Sequence, residues 1–390
     1  MRVLVRKIFQ FFSGKKDHLP LAVILFLSVV VRFVGIDFGL PLWLVGDEVS
    51  HIFGALKMLE LKTLLPVLHD NDFAGIFYYT PYLSYIYLLP YSAAAGIKFL
   101  FFSGNFSQFK NYLIADPSIF FIIARTVSAI FGSLTVLFVY AAAKNIFQNK
   151  KIALLSALFI GFGFLPVSYS HWARHWTAIT FFYSMGIYIL SHPNFSIAKR
   201  YFAAALLLGI GIGFNVQMSI FGVFALIWFF AFDRWPIGKL LRQKWLWQSI
   251  LAFILLFGLA FAIWPKGYGF FLLMGNAASS TKVFSLFGVF KFYFLAFLSA
   301  EPVLLFFVFL GMLRMFFVER RKALALGGFV FAYLFFFYLF FRPYDRYILP
   351  LYPILAIVAG YGLHRFLEYA PRHIRVIALP LVCAFLFVPI

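Results

Sequence analysis

Cysteine is almost missing. Cys383 is the one example in 390 residues, so no disulfide framework holds this chain together. Acids are scarce as well: 13 Asp and Glu stand against 33 Lys and Arg, and charged residues make up 12% of the chain. That is about half the charged share of an average soluble domain. The sequence has no Gly-rich phosphate loop, no Walker motif, no fixed-period repeat and no extended low-complexity tract. Together these shortages exclude a soluble globular domain, a disordered chain and a disulfide scaffold.

What is present is apolar. Hydrophobic residues make up 64% of the chain and Phe alone occurs 58 times; the mean hydropathy is +0.95. At roughly 20 apolar residues per crossing the chain has room for ten or more membrane helices. The net charge of +20 therefore reads as Lys and Arg collecting in cytoplasmic loops, not as a nucleic-acid footprint.

Basic clusters set the expected topology. Arg2, Arg6, Lys7, Lys15 and Lys16 precede the first apolar run, 19–36, and place the N-terminus inside. Later clusters stand at 144–151, 199–200, 234–244, 314–322 and 365–375. Placing each in the cytoplasm predicts an all-α polytopic fold of about eleven transmembrane helices: 19–36, 119–142, 152–170, 176–191, 201–216, 218–232, 246–264, 292–316, 324–341, 347–364 and 374–390. The apolar segment 79–102 breaks the parity, and Pro81 and Pro90 disfavour a straight helix there. The expectation is one long outer loop, 37–118, with helices lying in or dipping into the interface; a true crossing at 79–102 is the alternative. A second outer loop, 265–291, holds Lys266 and Lys282. The chain is expected to form one membrane domain over 1–390, with no cleaved leader. Its end inside an apolar run at Ile390 raises the expectation of further helices or a terminal domain beyond it.

The first outer loop carries Asp37, Asp47, Glu48, Glu60, Asp70, Asp72 and Asp116 against four lysines. Its net charge is −3, and carboxylates gathered on one face of a membrane protein suggest a solvated loop or a catalytic or ion-binding surface. Asp47–Glu48 follows the first helix and precedes His51. Asp47 reads equally as a helix N-cap or as a general base whose basicity rises at a low-dielectric boundary. In Ser168-Tyr-Ser-His171-Trp-Ala-Arg174-His175-Trp176, His171 and His175 have a metal-capable i, i+4 spacing, or form an interfacial aromatic belt. Arg174 there calls for an anionic partner. Arg346 in Arg342-Pro-Tyr-Asp-Arg-Tyr347-Ile-Leu-Pro350 suits a phosphate, or pairs with Asp345. Asp70 and Asp72 form a D-x-D, a weak divalent-cation signal that a polar loop tip explains better. The sequons at Asn105 and Asn194 carry no information at this length.

Several of these signals occur in an order that resembles a known family. They are Asp47–Glu48, Thr80-Pro81-Tyr82-Leu83, Ala124-Arg125-Thr126-Val127-Ser128-Ala129 with Gly132, Ser170-His171-Trp172-Ala173-Arg174, and Arg346-Tyr347-Ile348-Leu349-Pro350-Leu351-Tyr352-Pro353. The chain resembles the GT-C superfamily of membrane glycosyltransferases over about 40–365, in the branch of the protein O-mannosyltransferases and the lipid A aminoarabinose transferase. The resemblance implies a polyprenyl-phosphate-linked sugar donor, transfer with inversion to an acceptor hydroxyl, Asp47 as the base and Glu48 as its partner. It further implies donor-phosphate or substrate contacts from Arg174 and Arg346; we add His171, Tyr347, Lys266 and Lys282 as candidates for the same surface. No cofactor is expected; a divalent metal at Asp70 and Asp72 is a minor variant. The acceptor is a protein, lipid or glycan. The family often has a Lys after the Gly-rich fifth helix, where this chain has Asn215 and Gln217. The expected location is a bacterial inner membrane with the site on the outer face. The rival readings are a transporter or lipid flippase, which would call on intramembrane acids such as Glu301, and a non-catalytic membrane scaffold.

Overall fold

The computed structural model describes residues 19–42, 48–269, 285–340 and 344–387. The regular structure among them is helical, with no strand. The helices are α1 (Leu19–Phe33), α2 (Glu48–Leu61), α3 (Tyr82–Leu100), α4 (Phe106–Ala115), α5 (Ser118–Phe147), α6 (Lys150–Phe162), α7 (Phe164–Ser170), α8 (His175–Ser191), α9 (Ile197–Ile212), α10 (Ile220–Trp228), α11 (Lys244–Ile263), α12 (Leu286–Ala300), α13 (Pro302–Val318), α14 (Arg320–Phe340), α15 (Tyr352–Tyr369) and α16 (Arg372–Phe387).

Among the described residues, five helical stretches are long and apolar enough to cross a membrane: Ser118–Phe147, Val216–Asp233, Lys244–Ile263, Arg320–Tyr338 and Asp345–Tyr369. The pair α6 and α7, bent by 51°, forms a sixth if counted as one span. Shorter apolar helices include α1, α12 and α13. The described residues thus support a polytopic membrane protein without fixing the expected count of eleven. The run at 292–316, expected as one crossing, is two helices that meet at Glu301. Pro302 starts the second, a position where its missing N–H costs nothing. Segment 79–102 forms α3 with Pro90 inside it, and α3 is not among the helices that qualify as spans.

Local chemistry explains the boundaries. Gln148 closes α5 in a left-handed conformation (φ 52°), and Asn149 then caps α6 by accepting from the Lys151 and Ile152 amides. Asn105 caps α4 in a reciprocal box with Gln108. Packing centres on α15, buried from Tyr352 to His364. It lies against α6 and α13, while α5 packs on α8 and α6, and α9 on α11.

Within residues 48–115, α2 packs on α3, and both contact α5. Lys57 bridges Glu60 (3.1 Å) and Asp72 (3.7 Å), and Lys110 reaches Glu60 at 2.8 Å. The Lys110 and Lys57 ammonium groups hold the Glu60 carboxyl below the usual carboxylate range. Beneath them Phe73, Phe77, Met58 and Trp264 form a separate apolar cluster. The Trp264 indole N–H donates to Phe77 O at 3.2 Å.

Candidate active site

The site is built around the chain between α7 and α8. Residues 171–174 leave the helix entirely, and each is held by a different part of the molecule. At Ser170, the last residue of α7, the hydroxyl accepts from Arg32 Nε (3.2 Å) and donates to Pro166 O (2.5 Å). The His171 ring places Nδ1 3.0 Å from Val167 O and Nε2 2.9 Å from Val34 O. The Ala173 amide donates to Glu48 Oε1 at 2.6 Å. Arg174, only 1% exposed, then points its guanidinium at Tyr79, with Nη2 3.2 Å from the phenol oxygen.

Glu48 is the pivot of this arrangement. It is fully buried at the start of α2, and Arg125 of α5 grips it with two bonds, Nε to Oε1 (2.9 Å) and Nη2 to Oε2 (2.7 Å). The remaining Arg125 nitrogen donates to Ile36 O (2.9 Å) and Phe38 O (2.8 Å). One ion pair therefore joins the chain at Ile36 and Phe38, the start of α2, α5 at Arg125 and the 171–174 loop. Paired in this way, Glu48 holds its surroundings together, with Oε1 shared between Arg125 and the Ala173 amide and Oε2 taken by Arg125. Asp47, the expected base, lies outside the described residues, as does Lys282.

Two guanidinium groups meet across an aromatic pair. Arg174 lies over the rings of Tyr79 (5.4 Å) and Trp176 (5.9 Å). Arg346 lies over Tyr344 (4.5 Å) and Tyr347 (5.6 Å). The Trp176 and Tyr347 rings are themselves 5.2 Å apart, which completes a row from one arginine to the other. Tyr347 is fixed from behind, because Tyr333 donates to its carbonyl at 2.6 Å. Asp345 accepts from the Arg346 amide at 2.8 Å. The expected Asp345–Arg346 link is thus a backbone turn contact. The Arg346 Nε is buried with no hydrogen-bond partner.

The expected His171–His175 pair does not exist as a pair. An i, i+4 face needs continuous helix, and the chain turns out of helix between them. His171 serves the loop, whereas His175 turns inward to Asn215 (Nδ2 to Nε2, 2.8 Å) and His51 (3.3 Å). Asn215, which replaces the family's expected Lys region, therefore holds a buried imidazole. The Asn215 contact marks His175 Nε2 as acceptor, so Nδ1 carries the proton toward His51.

The D-x-D reading is also reshaped. Asp70 pairs with Lys266 and Asp72 with Lys57. Among the described residues no group of three or more His, Cys, Asp or Glu could hold a metal ion. Lys266, expected near the donor phosphate, ties the second loop to the first through Asp70. Sequence reasoning passed over Tyr79, one aromatic among many, and Arg32, which looked like the end of a membrane helix. The signal for Arg32 was a charge within an apolar run.

Comparison with known proteins places this geometry. Residues 94–264 match the model of the dolichyl-phosphate-mannose-protein mannosyltransferase family. No curated protein matches the chain in sequence. In structure the chain is similar to ArnT from Cupriavidus metallidurans bound to undecaprenyl phosphate, with a TM-score of 0.60 and 18% identity over 93% of this chain and 63% of that one. It is also similar to the archaeal oligosaccharyltransferase AglB from Archaeoglobus fulgidus in complex with an inhibitory peptide and a dolichol-phosphate, at 0.57 and 14% over 96% and 55%. The chain spans less than two thirds of the length of either. It has the fold of the GT-C glycosyltransferases and, over residues 94–264, matches the dolichyl-phosphate-mannose-protein mannosyltransferase family model.

Proposed function

We propose that the chain transfers a sugar, hexose or pentose, from a polyprenyl-phosphate donor to an acceptor hydroxyl at the membrane surface. The observation that carries this reading is the Arg174–Trp176–Tyr347–Arg346 row. Two guanidinium groups backed by aromatic rings suit a phosphate whose charge grows as it leaves the sugar. Donors fixed before the reaction stabilise that charge without reorganising. The match to a mannosyltransferase family model, and the lipid phosphates bound by the two structural neighbours, support the same donor class.

In this mechanism the acceptor hydroxyl attacks the anomeric carbon from the side opposite the phosphate. The C–O bond to phosphate breaks as the new C–O bond forms, which inverts the centre. Asp47 takes the hydroxyl proton, and the polyprenyl phosphate leaves with the bonding pair. Glu48 and Arg125 hold the start of α2. The acceptor is a protein, lipid or glycan on the outer face of a bacterial inner membrane. No metal step is invoked, because the D-x-D carboxylates are already neutralised by Lys57 and Lys266.

Undecaprenyl phosphate binding to the purified chain, read by native mass spectrometry, tests the proposal. The expected result is specific binding that Arg174→Ala and Arg346→Ala each weaken. Equal binding by all three proteins overturns the assignment of the row to phosphate.

A further inference from the structure

Glu301 is buried, 4% exposed, at the junction of α12 and α13. It belongs to neither the arginine row nor the Glu48 pivot. Its Oε1 accepts from the Leu165 amide at 3.0 Å, across 136 positions of sequence. That amide is in the first turn of α7, where a helix has no internal partner for its N–H groups. In an apolar interior an unmet amide is strongly unfavourable. The residue that would normally cap it is Gly163, which has no side chain, and no side-chain cap is present. The cap comes instead from a carboxylate in another pair of helices.

The carbonyl side of the same break is also served from afar. α6 ends at Phe162, and Arg32 of α1 donates to Ile160 O (3.0 Å) and Gly161 O (2.7 Å) while its Nε reaches Ser170. A Cβ on Gly163 would collide with the Tyr352 hydroxyl, which adjoins Glu301. The break is therefore a fitted joint. α7 is a two-turn rod between this joint and the loop that carries the Ala173 amide and Arg174.

We propose that Glu301 is a positioning residue for Arg174: by capping α7 at the joint it sets the direction in which the rod delivers residues 171–174. The role in donor binding rests on the function proposed above; the mechanical coupling does not. It also gives the intramembrane acid a task that needs no transport path.

The test uses the full chain and three variants, Glu301→Ala, Glu301→Gln and Gly163→Ala. Amide hydrogen exchange over 165–174 reads the coupling without any donor. The expected result is faster exchange at both Leu165 and Ala173 in Glu301→Ala and Gly163→Ala. Glu301→Gln, whose side-chain oxygen still accepts from Leu165, restores protection. Acceleration confined to the first turn of α7, with Ala173 unchanged, overturns the proposal. Undecaprenyl phosphate binding reads the consequence. Glu301→Ala is expected to weaken it about tenfold, the order of one lost charge-assisted hydrogen bond, and to add nothing on top of Arg174→Ala. Additive losses contradict a route through Arg174. Absence of binding by the native chain contradicts the donor reading, and the exchange result then decides the coupling by itself.

Discussion

Glu48 and Arg125 face each other as a buried fork, with Nε–Oε1 at 2.9 Å and Nη2–Oε2 at 2.7 Å, and the Ala173 amide completes the coordination of the carboxylate. Three stretches of chain far apart in sequence are thereby joined at one carboxylate. The residue that precedes Glu48 in the sequence is Asp47, the expected base.

Breaking this pair on one side leaves the other charge buried and alone. Arg125→Ala is expected to cost about 3–5 kcal/mol of stability, seen as a lower thermal midpoint in detergent. Arg125→Lys keeps the charge but loses the fork and the bonds to Ile36 O and Phe38 O. It should fold more nearly normally yet lose transfer. A stable, fully active Arg125→Ala would show that the fork positions nothing.

Removing either arginine of the row is expected to slow transfer by about 10²–10³-fold, the usual cost of one fixed donor at a developing oxyanion. Arg174→Lys should recover little, because a compact ammonium lacks the planar, multi-donor face that the guanidinium presents near the Tyr79 and Trp176 rings. Steady-state rates with a labelled lipid-linked sugar check this.

The acid-paired cluster over α2–α4 should be sensitive to low pH. Glu60 has its carboxyl lowered, first by Lys110 and then by Lys57. A lowered acid contributes stability that is full above its unfolded value, about 4.3, and disappears as pH falls through the folded value. The contribution is small because the side chain is 43% exposed. Limited proteolysis of 48–115 should be unchanged from pH 7 to 5 and faster below pH 4; Glu60→Gln should show the faster cleavage at every pH.

Transfer should survive metal chelation. Asp70 and Asp72 are taken by Lys266 and Lys57, so EDTA is expected to leave the rate unchanged. A rate restored specifically by a divalent ion after chelation would return the D-x-D to the mechanism.

Much of the site could be read from the chain because its chemistry sits in local words. Arg174 and Arg346 stood out as charges beside aromatic residues at the ends of apolar runs, and both reach the same row. Partners were harder to see. Glu48 looked like a second catalytic acid because nothing local announces that Arg125, 77 positions away, will claim it. His171 and His175 looked paired because spacing assumes an unbroken helix. The break at Gly163 could be understood only with the one at Glu301, whose carboxylate accepts from the Leu165 amide just after it. Helix length misled for a related reason. Runs such as 292–316 are apolar apart from Glu301 and Arg314, and mean hydropathy does not register the break at Glu301–Pro302 that divides one run into two helices.

The central claim is lipid-linked sugar transfer with Asp47 as the base. Membranes containing the native chain or Asp47→Asn, supplied with labelled polyprenyl-phosphate sugars and read by mass spectrometry, test it most directly. The account predicts label on an acceptor with the native chain and none above background with Asp47→Asn, at equal protein level. Undiminished transfer by Asp47→Asn would contradict the assignment of the base, and sugar-lipid flux across proteoliposomes without any transfer would contradict the reaction itself.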